Sequence, residues 1–231
     1  MDNFVVQSIE SIQKGTKMMI KQILWDWNGT LLDDLQYGMD VRNRIFPTFN
    51  LPTINTIEEY HAQFTFPIRL YYERAGVTDD IFVPIAHAWM DEYVRGFGAV
   101  PLHTDAKETL ERFAINGLQQ TVLSASKLDL LTVQIAQFNI QHYFAAILGL
   151  GDIYAGSKEE IGRQYLNCCP VPANETLMIG DTLHDAEVAA AIGAKCILVA
   201  RGHQSRETLL TAGVPVVDTL TAAADLVLNA K

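Results

Sequence analysis

Ile20-Lys21-Gln22-Ile23-Leu24-Trp25-Asp26-Trp27-Asn28-Gly29-Thr30, residues 20–30, is the stretch whose reading decides the fold. Its apolar run Ile23-Leu24-Trp25 stops at a polar, glycine-containing cluster, the pattern of a buried strand emptying into a loop. The same pattern recurs toward the C-terminus: residues 119–123 lead to Ser124, 175–179 lead to Gly180-Asp181, and 145–148 and 195–199 read as two more strands. Between them lie helical stretches at 105–116, 126–138, 157–168 and 182–192. The second carries an apolar stripe at Leu128, Leu131, Ile135 and Phe138, and the last stops at Gly193. Strands alternating with helices predict βαβ units, hence an α/β fold with a doubly wound parallel sheet covered on both faces.

The alternation is missing between 34 and 103. That stretch holds most of the aromatic residues, and 57–64, 67–75 and 79–96 read as helices with stops at Gly76 and Gly96-Phe97-Gly98. The expected organisation is an α/β core formed by 19–33 and 104–231, interrupted by a small all-helical insertion at 34–103. Residues 1–18 precede the first strand as an N-terminal extension.

Composition bounds the function. With 231 residues, 49% hydrophobic and 19% charged, the chain builds a full core without staples. A net charge of −10 argues against a nucleic-acid or anionic-membrane binder. Cys168, Cys169 and Cys196 are odd in number and lack C-x-x-C spacing, so a reduced, cytoplasmic protein is expected. No apolar run is long enough to span a bilayer. Six histidines show no zinc-ligand spacing, and Gly149-Leu150-Gly151 fails as a dinucleotide fingerprint at Tyr154.

In a parallel sheet, ligands collect outside the carboxyl ends of the strands. Asp26, Ser124, Lys158 and Asp181 fall at or just after such ends. Two carboxylates on one spot repel unless a cation lies between them, and hard oxygen donors favour Mg²⁺ completed by substrate phosphate. A hydroxyl and an ammonium then suit the outer phosphoryl oxygens. Each residue also has an ordinary reading: Asp26 in a turn, Asp181 as a helix cap, Asp185 as a first-turn carboxylate, Lys158 on the surface. Their joint occurrence, in order, carries the weight.

Asp26-Trp27-Asn28-Gly29-Thr30-Leu31-Leu32-Asp33 resembles the first motif of the haloacid dehalogenase superfamily, D-x-D-G-T-[LV]-x-[DE]. Ser124, Lys158 and Gly180-Asp181-Thr182-Leu183-His184-Asp185 are similar to its second, third and fourth motifs. The resemblance implies a Rossmann-like core with a helical cap, closest in layout to phosphoglycolate-phosphatase-like members. It implies an Mg²⁺-dependent hydrolase of a small phosphorylated metabolite, with Asp26 as the nucleophile that becomes an aspartyl-phosphate. Asp26, Asp181, Asp185 and the main-chain carbonyl of Asn28 would serve the metal. Gly29, Thr30, Ser124, Ala125 and Lys158 would hold the substrate, with Arg69 from the cap segment His61-Ala62-Gln63-Phe64-Thr65-Phe66-Pro67-Ile68-Arg69.

Asn28 departs from the motif, where phosphatases of the superfamily carry an Asp that protonates the leaving oxygen and activates water. Loss of such help is worth about 10² to 10⁴ in rate. Three readings remain open: turnover relayed by His184 or Asp33 or restricted to good leaving groups; binding of phosphorylated ligands without useful turnover; or carbon–halogen or phosphonate cleavage. On sequence grounds Asn28→Asp is expected to raise turnover at least about tenfold. Deamidation at Asn28-Gly29 would make the same change.

Overall fold

The computed structural model describes residues 20–151 and 157–229. The extension read at 1–18 lies outside the described residues. Six strands, β1 Gln22–Trp25, β2 Gln119–Lys127, β3 Ala146–Leu150, β4 Thr176–Gly180, β5 Lys195–Val199 and β6 Val216–Val217, form one sheet in the order β3-β2-β1-β4-β5-β6. Every neighbouring pair is parallel. Strand order reverses beside β1, so the crevice at the carboxyl ends of β1 and β4 is the topological switch point where such sheets bind ligands.

The helices are α1 Leu35–Ile45, α2 Ile57–Gln63, α3 Ile68–Arg74, α4 Asp79–Gly96, α5 Ala106–Ile115, α6 Leu128–Gln137, α7 Lys158–Cys168, α8 Leu183–Ile192, α9 Arg206–Leu210 and α10 Leu220–Leu228. Successive strand residues face opposite layers. Ile23 and Trp25 pack with Leu110, Phe113, Leu131, Ile135 and Ala223 of α5, α6 and α10. Leu24 packs the other way, with Met178, Leu198, Val188 and Ile192. Trp25 lies 5.8 Å from Phe113, and its indole Nε1 donates to Gln120 Oε1 at 2.9 Å, so the buried N–H is satisfied. Helices α1 to α4, between β1 and α5, enclose a separate core of Met39, Phe46, Ile54, Tyr60, Phe64, Tyr71, Tyr72 and Ile85.

Several elements differ from the sequence reading, which also named none of α9, β6 and α10 beyond residue 199. Strand β2 does not stop at 123: pairing with β3 resumes at Lys127 opposite Leu150 after a register shift, and α6 begins only at Leu128. Of the expected stripe Leu131 and Ile135 are buried and Phe138 packs against the same core, while Leu128 is exposed. Helix α1 carries no clear apolar pattern, because Gly38, Asp40, Arg42 and Arg44 interrupt it. Arg42 is nonetheless buried, its guanidinium 4.3 Å over Phe46 and bonded to the Pro52 carbonyl and Gln63 Oε1.

Phe113 is fully buried in the layer that backs β1. Phe113→Ala is expected to lower unfolding free energy by about 3–5 kcal/mol in a denaturant titration followed by tryptophan fluorescence.

Candidate active site

β1 ends directly at Asp26, whose N–H donates to the Ile179 carbonyl of β4 at 2.9 Å and so fixes the carboxylate at the switch point. Ser157 caps α7, accepting from Glu160 N, and this start directs Lys158 inward. Lys158 Nζ donates to Asp26 Oδ1 at 2.5 Å and to Asp185 Oδ1 at 2.6 Å, and the ammonium is 2% exposed. Asp181, at the end of β4, accepts from Thr30 Oγ1 at 3.0 Å and from the His203 N–H at 2.6 Å. Asp185 Oδ2 accepts from Asp181 N, Thr182 N and Thr182 Oγ1, so this carboxylate is held on both oxygens. Carboxylate oxygens of Asp26, Asp181 and Asp185 lie within 4.8 Å of one another.

Gly29 has φ +74°, and a Cβ there would run into the Asp181 carboxylate and lie 2.7 Å from His203 Cδ2. Only glycine lets the loop after β1 pass this close. Ser124, buried, accepts from Ser126 N at 3.0 Å, while Ala125 is exposed in the irregular part of β2.

Burial lifts the Asp26 carboxyl to about 6, against the pull of Lys158. Burial also lifts Asp181 to about 8, with His203 opposing and Asp26 and Asp185 adding repulsion. Burial penalises Asp185 and Lys158 too, but their mutual attraction more than offsets it, keeping Asp185 ionised below its usual value and Lys158 charged. The cluster thus carries more buried negative charge than Lys158 neutralises. Its donors are all oxygens, and they fit a hard divalent cation.

Arg69 is not brought to this cluster. Its guanidinium pairs with Glu73 and Asp79 and lies 4.4 Å over Phe82 on the surface of the insertion. The two residues weighed as proton relays also point elsewhere: Asp33 faces His103 at 3.6 Å and His184 faces Glu187 at 3.6 Å. Asn28 instead meets groups the sequence reading passed over. Its Nδ2 donates to Asp34 Oδ2 at 2.7 Å and to Tyr93 Oη at 3.0 Å, and its Oδ1 accepts from Ser126 Oγ at 2.6 Å. Asp34 is bonded to His203, whose ring burial would neutralise but which Asp34 and Asp181 hold protonated to about 9. His203 lies in the loop after β5, which ends at Val199, and not directly at a strand end as Asp181 does. Ser126 was hidden by its reading as a helix cap.

The profile of the haloacid dehalogenase-like hydrolases matches residues 23–199. The chain belongs to this family. Among curated relatives, this hydrolase is 24% identical over 204 residues to a phosphoglycolate phosphatase of Aliivibrio fischeri, covering 82% of this chain and 88% of that one. A phosphoglycolate phosphatase of Pseudomonas fluorescens is 23% identical over 193 residues, 78% and 70% of the two chains. Among solved structures, a haloacid dehalogenase-like family protein from Streptococcus pneumoniae superposes with a TM-score of 0.78 at 16% identity, covering 90% of this chain and 98% of its own. A "predicted phosphatase" from Clostridium acetobutylicum gives 0.80 at 18% identity, covering 91% and 99%. At these identities the structural matches speak for the fold. No helix among the described residues is long and apolar enough to cross a membrane.

Because Asp26 and Asp181 are raised, the metal-free fold binds more protons than the unfolded chain between about pH 4 and 8, and their contribution to stability falls as pH rises through that window. A cation on the same oxygens competes with those protons. Millimolar Mg²⁺ is therefore expected to raise the melting temperature more at pH 8 than at pH 6, in a thermal-shift titration, and Asp181→Asn to remove the difference.

Proposed function

We propose that this hydrolase is an Mg²⁺-dependent phosphatase of small phosphomonoesters that works through a phosphoryl group carried on Asp26. The carrying observation is the Asp26 carboxylate held 2.5 Å from Lys158 Nζ, at the end of the central strand, with Asp181 beside it. Relatives named phosphoglycolate phosphatase support the reading.

Asp26 attacks phosphorus, the bond to the leaving oxygen breaks, and water then attacks phosphorus to release phosphate and regenerate the carboxylate. Lys158 keeps Asp26 ionised and faces the charge that builds on the phosphoryl oxygens; the Ser124 hydroxyl holds another of them. Asp26, Asp181 and the Asn28 main-chain carbonyl, with Asp185 behind them, would hold Mg²⁺, which would supply further neutralisation of phosphoryl charge. The insertion of residues 34–103 acts as the cap that keeps bulk water out.

Asn28 has no proton to give, so leaving groups that depart unprotonated are favoured. The same residue supports a second reading, a protein that binds phosphorylated ligands without turnover.

A panel of aryl and alkyl phosphomonoesters, assayed for phosphate release with and without Mg²⁺, separates the two. Release that needs Mg²⁺, vanishes in Asp26→Asn and is at least about tenfold faster for aryl than alkyl esters is the expected outcome. Ligand-induced melting shifts with no release from any ester would leave the binding reading in its place.

A further inference from the structure

The Asn28 amide is committed on both sides. Its oxygen accepts from Ser126 Oγ, and its nitrogen donates to Asp34 Oδ2 and Tyr93 Oη. Asp34, 3% exposed, is the hub of this arrangement. Its Oδ2 takes Asn28 Nδ2 and the Tyr93 hydroxyl at 3.0 Å; its Oδ1 takes Gly29 N–H at 2.8 Å and His203 Nε2 at 3.2 Å. All four lone-pair positions of the carboxylate are filled.

These bonds cross from core to insertion. Asp34 is the residue from which α1 leaves the core, Tyr93 belongs to α4, and Tyr60 of α2 reaches His203 Nδ1 at 2.8 Å. The contact continues beside the hub: His61 Nε2 donates to the Gly202 carbonyl at 3.0 Å, Phe64 stacks on His203 at 4.9 Å, and Phe66 stacks on His184 at 4.8 Å. Two helices of the insertion and the loop after α2 are thus fastened to the loops that carry Asn28, Asp181 and His203.

We infer that the Asn28 side chain is a positioning residue, the pin of a latch that holds the helical insertion closed over Asp26, and that position 28 needs a hydrogen-bond donor as long as Asp34 is a carboxylate. An aspartate at 28, in the same geometry, sets two carboxylate oxygens 2.7 Å apart where a donor and an acceptor now meet. Opening the insertion relieves that repulsion. On sequence grounds Asn28→Asp is expected to raise turnover; in this geometry the same substitution also loosens the latch, because a carboxylate already stands at Asp34. The inference does not depend on whether phosphoryl transfer occurs.

The latch also guards its own pin. Deamidation requires Gly29 N to attack Asn28 Cγ, forming an N–C bond as the Cγ–Nδ2 bond breaks and ammonia leaves; water then opens the cyclic imide. In the closed arrangement the Gly29 N–H is shared between Asp34 Oδ1 and the Leu32 carbonyl, and the amide is clamped by three partners.

The test is hydrogen–deuterium exchange of full-length wild type, Asn28→Asp, Tyr93→Phe and the exchange variant Asn28→Asp/Asp34→Asn, with peptides from β1 and β4 reporting that the core is folded. Asn28→Asp is expected to speed exchange over 57–66 at least about tenfold, and the exchange variant to return it to within about threefold of wild type. Tyr93→Phe, which keeps Asn28, is expected to speed both exchange there and deamidation of the Asn28-Gly29 peptide, followed by mass spectrometry. Unchanged or slower exchange in Asn28→Asp, no recovery in the exchange variant, or equal deamidation rates would overturn the latch. Phosphate release by the wild type on the same samples reports separately on the phosphatase reading.

Discussion

Lys158 sits between two buried carboxylates, and the geometry around it depends on that contact. A charge taken out of water is stabilised only by close, well-directed partners, and here Asp26 and Asp185 supply them at 2.5 and 2.6 Å. One ammonium does not cover the whole cluster. Asp181 is left lifted to about 8 by burial and by its acidic neighbours, which makes the site a place for a cation. The backbone accommodates this crowding with glycine: at Gly29 and at Gly202 a side chain would strike the Asp181 carboxylate.

A second charge centre, Asp34 with protonated His203, lies beside the first and is linked to it by Gly29, Asn28 and Asp181. The first centre belongs to strand ends of the core, and the second to the junction of core and insertion. Their adjacency means that the loop after β1 serves two masters: Asp26 faces Lys158, while Asn28 faces Asp34 and Tyr93. With the inferred latch, substitutions at 28 would act on closure of the insertion as well as on chemistry, and turnover alone does not distinguish the two.

Most of this layout was legible in the chain because it rests on local signals. Ile23-Leu24-Trp25 and Leu177-Met178-Ile179 each end at the residue that matters, and a parallel sheet brings strand ends together. The helices α2, α3 and α4 fall within the stretches read as helical, and α3 and α4 end beside the expected stops Gly76 and Gly96. What escaped had nonlocal causes. Strand β2 passes beyond Leu123 only because β3 pairs with Lys127, which turns Ser126 from an apparent helix cap into a partner of Asn28. Arg69 looked like a substrate ligand, but Glu73 and Asp79 claim it on the surface. Asp34, Tyr60 and Tyr93 gain meaning only when the insertion folds back, a contact between residues up to 169 positions apart for Asp34 and His203.

The central claim, a phosphoryl group carried on Asp26, is tested most directly by trapping it. Protein quenched during turnover of an aryl phosphate in Mg²⁺ is reduced with borohydride, which converts an aspartyl-phosphate to homoserine, and the peptide spanning position 26 is sequenced by mass spectrometry. Homoserine at 26, absent without substrate, is the predicted result. Phosphate release accompanied by an unmodified Asp26 peptide, or by homoserine at another aspartate, would contradict the account.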